Sequence, residues 1–286
     1  MNEPAPGKSA VRLFAIDVDG TLLDGTHRLR NEVKEAVNRL ADSGVKVVLA
    51  TARGPQAVVE IVQQFGFAPA LICFSGGWIG ELDSMSMRPA NVRLDRRLAT
   101  DLAAAILKEA INQGVEPNVF TPDSWRVRRL TDEIAEEIRI VNLQPLVSDG
   151  LLAGAIEPSK IMLISRLDTA GIALPSIERS IQSLSRVAFS TITYSKPNYL
   201  EILPAEVNKA KAVAVLAQFL GVDLPEVAAV GDGLNDLEML NEAGFAIAMG
   251  NASDRLKAAA DLVVRSNDEA GVAQAVEEIL TRNGAV

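Results

Sequence analysis

Histidine and cysteine occur once each in the 286 residues, as His27 and Cys73. A single cysteine cannot close a disulfide within the chain, and one histidine excludes a multi-histidine metal cage. Cys73 lies in the apolar run Leu71-Ile72-Cys73-Phe74 and reads as a core filler. His27 follows a turn at Asp24-Gly25 and reads as solvated. Positive charge is also scarce. Lys and Arg total 28 against 37 Asp and Glu, a net charge of −9, so no overall positive field draws the chain to nucleic acid or to an anionic membrane. An anionic small-molecule substrate then needs a local cation. No apolar run is long enough to span a bilayer, and Met1 to Ala10 hold no apolar signal core. The expectation is a cytoplasmic protein.

The chain carries 48% apolar and 23% charged residues, the mix of a folded globular protein, with length for one large or two ordinary domains. Val11 to Ile16 is an apolar run that stops at Asp17 and reads as a strand buried on both faces. Val33, Ala36, Val37 and Leu40 are spaced as one stripe of a helix over Asn31 to Ser43. Val45 to Ala50 and Ala70 to Phe74 read as further strands, with a helix between them from Pro55 to Gln64. That alternation predicts a parallel sheet.

After Gly80 the rhythm changes. Ser84 to Asp95 reads as polar and irregular, Leu98 to Asn112 as a helix, and Ser124 to Leu130, Lys160 to Ser165 and Val187 to Leu203 as strands of an antiparallel or mixed sheet. Hairpin turns are expected at Ser148-Asp149-Gly150 and near Pro197-Asn198. From Lys209 the first rhythm returns: a helix to Leu220, a strand at Val227 to Val230, a helix at Asp236 to Ala243, short strands near Phe245 to Ala248 and Leu262 to Val264, and a last helix. The fold class is therefore α/β, a doubly wound, Rossmann-like parallel-sheet core over residues 1–82 and 204–286, with an inserted α+β cap over residues 83–203.

Open parallel sheets place their sites beyond the carboxyl ends of the strands. Asp17 and Asp19 follow the first strand, and Asp232 and Asp236 follow the strand at Val227 to Val230. If the four converge, each like-charge pair at about 4 Å costs roughly 4 kcal/mol at an effective dielectric near 20. A few such pairs rival the roughly 5–15 kcal/mol by which a domain stays folded. With oxygen ligands only, a hard divalent cation such as Mg²⁺, shared by Asp17, Asp19, Asp232 and Asp236, offsets that repulsion. The backbone amides of Asp19 to Thr21, around Gly20, offer a nest for phosphate oxygens.

The strings Asp17-Val18-Asp19-Gly20-Thr21-Leu22 and Gly231-Asp232-Gly233-Leu234-Asn235-Asp236 resemble motifs of the haloacid dehalogenase superfamily of phosphotransferases. In detail the chain is similar to Cof-type phosphatases, whose α/β cap is inserted between the second and third motifs. The resemblance covers nearly the whole chain, by motifs in the core and by architecture in the cap. It implies that Asp17 is the nucleophile and Asp19 the general acid and base. It implies that Thr51 and Arg53, in Thr51-Ala52-Arg53, hold the phosphoryl group with Asn235, and that Lys209 is the catalytic lysine. Asp232 and Asp236 match the metal-binding acids, and Asn251, in Met249-Gly250-Asn251-Ala252, matches a recurring turn. The implied activity is Mg²⁺-dependent hydrolysis of small phosphorylated metabolites, such as sugar phosphates or phosphorylated cofactors, through an aspartyl phosphate. A phosphomutase acting on a sugar phosphate and a non-catalytic phospho-ligand-binding protein share the same core and remain open readings.

The chain departs from the family pattern in three places. Ala52 and Ala210 stand where glycine is frequent, and Ser75-Gly76-Gly77 stands where Ser-Asn-Gly is usual, so a side-chain amide is missing there. In the insertion, Trp125, Arg126, Arg128, Arg129, Tyr194 and Lys196 offer stacking and charge, but strand alternation divides them between faces and none is assigned to the site.

Overall fold

The apolar run that stops at Asp17 forms strand β1 (Leu13–Asp17), in which Leu13 to Ile16 are wholly inaccessible to solvent. A computed structural model of the chain describes residues 9–152, 156–184 and 187–284. The leading Met1 to Lys8, where the sequence reading finds no apolar leader, lie outside these residues. Helix α1 (Asn31–Asp42) buries the stripe Val33, Ala36, Val37 and Leu40. Each such side chain contributes about 1.5–3 kcal/mol when fully removed from water. Strand β2 (Lys46–Ala50) follows. The helix expected over Pro55 to Gln64 is shorter: a 3₁₀ turn, Pro55–Val58, leads into a single turn, α2 (Val59–Val62). Strand β3 (Ala70–Cys73) carries the buried Cys73, and β4 (Trp78–Leu82) folds back antiparallel on it. The stretch expected to be irregular contains strand β5 (Pro89–Asp95).

The chain then supplies α3 (Thr100–Asn112), β6 (Pro117–Thr121), β7 (Ser124–Val127), α4 (Asp132–Val141), β8 (Leu146–Val147), β9 (Lys160–Ile164), α5 (Leu167–Gln182), β10 (Ser190–Lys196) and β11 (Tyr199–Pro204). It closes with α6 (Lys209–Leu220), β12 (Val227–Gly231), α7 (Leu237–Glu242), β13 (Phe245–Ala248), α8 (Asp254–Ala258), β14 (Leu262–Val263) and α9 (Gly271–Arg282). Among the described residues no helix is long and apolar enough to cross a membrane.

Two compact units emerge, one built from residues up to Arg53, Val58–Asn91 and everything after Val207, the other mainly from Val92–Val207. The first holds most of a mixed sheet that runs, among the described residues, β14-β13-β12-β1-β2-β3-β4-β5, with only the start of β5 in this unit. From β14 to β3 every neighbouring pair is parallel. Chain order ascends from β1 through β2 and β3 on one side and from β12 through β13 and β14 on the other. The reversal falls between β1 and β12, the place where a doubly wound sheet opens a crevice beyond its carboxyl edge. Register sets what meets there: Ile16 pairs with Val230, Asp17 with Ala50, and Gly231 with Ala248. Asp17, Thr51, Asp232 and the turn at Gly250-Asn251 therefore all leave the same edge of the sheet.

The second unit has its own sheet, β10-β11-β9-β6-β7-β8 among the described residues. Ile161, Leu163, Leu200 and Ile202 of this sheet pack with Leu102, Ile106, Leu174 and Ile177 of α3 and α5. Ile134 of α4 packs with Trp125 and Val127. The hairpin expected near Pro197-Asn198 joins β10 to β11. Among the described residues no hairpin forms at Ser148-Asp149-Gly150; β8 pairs parallel with β7 and runs into a 3₁₀ turn at Asp149–Leu152. This Asp-Gly therefore ends a strand and enters a 3₁₀ turn.

Candidate active site

Three carboxylates and one ammonium meet beyond β1 and β12. Oxygens of Asp17, Asp232 and Asp236 lie within 4.8 Å of one another. Lys209, the first residue of α6, is 1% exposed, and its Nζ donates to Asp17 and to Asp236 Oδ1 (2.6 Å). The helix starts there because Asn208 caps it: the Asn208 side-chain oxygen accepts from the Lys211 amide at 2.7 Å. Gly76, at φ +106°, brings the turn after β3 against this cap, where a Cβ would stand 2.3 Å from the Asn208 carbonyl oxygen. Gly76 thus allows close packing of this turn against the lysine helix.

Asp236 closes its own loop. Its Oδ2 accepts from the amides of Asp232 (3.2 Å) and Gly233 (3.0 Å), which leaves Oδ1 for Lys209. Asp232 is held from the first motif, since Thr21 Oγ1 donates to its Oδ1 at 2.9 Å. Gly20 makes that contact possible. It sits at φ +80°, and a Cβ there would lie 2.4 Å from Asp232 Oδ2. Gly20→Ala should lower stability by about 1–3 kcal/mol, the usual cost of such backbone strain, as calorimetry would read.

Asp19 stands apart from this cluster. It was expected to share the cation with the other three acids, yet both its oxygens face Arg53, whose Nε and Nη2 donate at 2.8 and 2.6 Å. His27 Nδ1 lies 3.5 Å from the same carboxylate, so the lone histidine is half-exposed but not simply solvated. The two-pronged grip follows from guanidinium shape, which matches a carboxylate edge-on. Thr51 is buried at the end of β2, where its Oγ1 accepts from the Arg53 amide at 3.0 Å. Asn235 stands exposed on the turn that carries Asp236.

The charges are strongly perturbed. Burial, then the neighbouring charges of Asp236 and Asp232, push the Asp17 carboxyl well above the usual carboxylate range, against the pull of Lys209. Burial and Asp236 also raise Asp232, against the hydrogen bond from Thr21. Burial alone would lower Lys209, but the flanking Asp17 and Asp236 outweigh it and hold the ammonium charged. Asp19 moves the other way: burial is outweighed by the bonds from His27 and Arg53, which hold it well below the ordinary value. Three carboxylates around one ammonium leave negative charge uncompensated in a buried place. That all-oxygen donor set is chemically suited to a hard divalent cation.

Thr21, His27 and Asn208 were not singled out as site residues by sequence reasoning. Thr21 alone had a signal, its place in the first motif. In the insertion, the exposed-looking polar set is committed to local pairs. Trp125 Nε1 donates to Asn118 (3.0 Å), Arg128 and Arg129 both grip the buried Glu116, and Tyr194 donates to Glu178 (2.9 Å).

Comparison with known proteins agrees with this geometry. A family described as haloacid dehalogenase-like hydrolase matches residues 14–276. YxeH of Bacillus subtilis (strain 168) is 30% identical over 275 residues, covering 94% of this chain and 98% of its own. From the same organism, the 5-amino-6-(5-phospho-D-ribitylamino)uracil phosphatase YwtE is 26% identical over 298 residues, covering 95% and 99%. A crystal structure of a haloacid dehalogenase-like hydrolase from Bacteroides thetaiotaomicron superposes with a TM-score of 0.85 at 26% identity, covering 94% of this chain and 99% of that one.

Proposed function

Since the chain belongs to the haloacid dehalogenase-like hydrolases, we propose that it is a Mg²⁺-dependent phosphatase of small phosphorylated metabolites that turns over through phosphorylated Asp17. The observation that carries this reading is the buried Asp17 carboxylate at the sheet's reversal point, bonded to Lys209 and flanked by Asp232 and Asp236. The name of the relative YwtE, a phosphatase of a phosphorylated small molecule, supports the substrate class.

Asp17, Asp232 and Asp236 would hold Mg²⁺, and when bound it neutralises charge that would otherwise repel a phosphoryl dianion. Asp17 attacks phosphorus, and the bond from phosphorus to the leaving oxygen breaks. Asp19 gives that oxygen its proton. In the second half Asp19, now a carboxylate, takes a proton from water as the water attacks the aspartyl phosphate, releasing phosphate and restoring Asp17. Lys209 stabilises the transferring oxygens with a fixed positive charge, and the amides around Gly20 and the Thr51 hydroxyl orient them.

Arg53 has two duties under this reading. While bidentate to Asp19 it keeps that carboxyl ionised, the state needed to activate water. When Arg53 turns to a phosphoryl oxygen, Asp19 loses two charge-assisted bonds and gains proton affinity, the state needed to protonate the leaving group. Arg53→Ala should therefore raise KM and lower kcat by about 10²-fold, in the range of lost acid–base assistance, as steady-state kinetics would read.

The insertion between β4 and α6 is the part we assign to substrate choice. The test of the reading as a whole is phosphate release from a panel of phosphorylated sugars and cofactors with Mg²⁺. An acid quench during turnover should trap a phosphoprotein whose label maps to Asp17. A label on another residue would reject the assignment.

A further inference from the structure

The turn at Gly250-Asn251 leaves β13 beside the site, and its asparagine touches three separate segments. The Asn251 Nδ2 donates to the Gly20 carbonyl oxygen at 2.8 Å and to Asp232 Oδ2 at 3.4 Å, using the two hydrogens of one amide nitrogen. Its Oδ1 accepts from the Asn267 amide at 3.1 Å. Asn267, itself buried, donates from Nδ2 to the Leu23 carbonyl oxygen at 2.9 Å, and the next residue, Asp268, accepts from the Gly25 amide at 2.8 Å. The loop that leaves β1 is thus pinned at Gly20, Leu23 and Gly25 by residues from the far end of the chain.

Only one of these pins also reaches a carboxylate of the cluster. Asp232 has neutral donors on both oxygens, Thr21 on Oδ1 and Asn251 on Oδ2. Such donors fix the rotation of a carboxylate without cancelling its charge, and outer partners of this kind commonly govern metal affinity by 10–100-fold.

We infer that Asn251 is a positioning residue for the divalent cation: it locks the nucleophile loop to Asp232 and so sets the carboxylate geometry that binds the ion. The inference rests on the metal reading proposed above. Asn251 does not reach the reacting atoms, so its loss acts on cation binding and, through it, on turnover. Asn267→Ala provides the contrast, because its amide N–H to Asn251 is backbone and survives, while the side-chain clamp on Leu23 is lost.

The experiment is Mn²⁺ titration of the full chain, followed by the electron paramagnetic resonance signal of the free ion, with calorimetry of each metal-free protein. Asn251→Ala should bind Mn²⁺ about tenfold more weakly and regain most of its kcat at saturating Mg²⁺, with KM for the phosphorylated substrate then within threefold of wild type. Asn267→Ala should lower Tm and leave Mn²⁺ affinity within twofold. A folded Asn251→Ala with wild-type Mn²⁺ affinity, or equal weakening by both substitutions, would overturn the inference while leaving the metal site intact. Wild-type protein that binds no Mn²⁺ would overturn the metal reading itself and this inference with it. If Asn251→Ala does not fold, Asn251→Ser is read by the same criteria.

Discussion

Asp17→Asn should abolish turnover and, at the same time, stabilise the metal-free protein at neutral pH. The loss of activity follows from removing the attacking oxygen's charge, and deletions of a nucleophile in covalent enzymes reach about 10⁴-fold or more. The gain in stability follows from the carboxylate cluster. Asp17 has a raised folded-state pKa, caused first by burial and then by Asp236 and Asp232. A carboxyl raised on folding contributes stability that is fully present below its unfolded value and is lost as pH rises through the folded value. As pH rises and the Asp17 carboxyl ionises, that stability is lost and the new charge adds to the repulsion from Asp236 and Asp232.

Asparagine imitates the protonated acid, and its amide oxygen still accepts from Lys209. Metal-free Asp17→Asn should melt about 3 °C or more above wild type at pH 7.5, roughly the shift that 1 kcal/mol produces in a domain of this size. The difference should shrink as pH approaches 4. Mg²⁺ should reverse the order, since it stabilises the wild type by binding the folded state and the variant holds it less well. Calorimetry across pH, with and without Mg²⁺, gives all three readings. A variant that melts below wild type at every pH would show that the cluster is not repulsive.

Lys209→Met has the opposite signature. The ammonium is 1% exposed and bonded to two carboxylates, so its removal leaves buried acids facing each other without a counter-charge. Breaking one side of such a buried arrangement costs about 3–5 kcal/mol. The sign with pH is fixed by both partners. The raised Lys209 keeps its stabilising charge from acid pH up past its unfolded value, so wild type holds this contribution through the assay range. In the variant the repulsion is relieved only by protonation, to which the raised Asp17 is most prone, so the deficit is largest where Asp17 is ionised and narrows as pH falls. Added Mg²⁺ should restore much of the stability, because a divalent cation supplies counter-charge. It should not restore kcat, which falls about 10²–10³-fold with the loss of a fixed charge on the transferring oxygens. Wild-type stability for metal-free Lys209→Met at pH 8 would sink this account.

The two experiments separate roles that sequence motifs merge. Both residues belong to the site expected from the motifs, yet one substitution relieves the buried charge and the other exposes it. Asp19 makes the same point. Its two-residue separation from Asp17 groups it with the other acids on paper, while in space Arg53 at the end of β2 takes both its oxygens.

Strands β1, β2, β3 and β12 were legible because burial on both faces demands an unbroken apolar run, and their carboxyl ends were legible because the run stops at Asp17, Thr51 and Gly231. Helix α5 was not, since Gly171 and Pro175 stand inside it and its pattern is set by packing of Leu174 and Ile177, which outweighs their poor helix propensity. Strand β5 was hidden for a related reason: an edge strand has no fully buried face, and most of its side chains are exposed or half-buried.

Local pattern thus settled the α/β class, the alternation of elements and the chemical kinds of group at the strand ends, because each depends on neighbours a few residues away. Which oxygens share a cation, which acid faces an arginine and which asparagine ties the first loop to Asp232 were settled by parallel register and side-chain packing. Those contacts join Asp17 to Lys209 and Gly20 to Asn251 across most of the chain, and no local spacing encodes a distance that exists only once the sheet has formed.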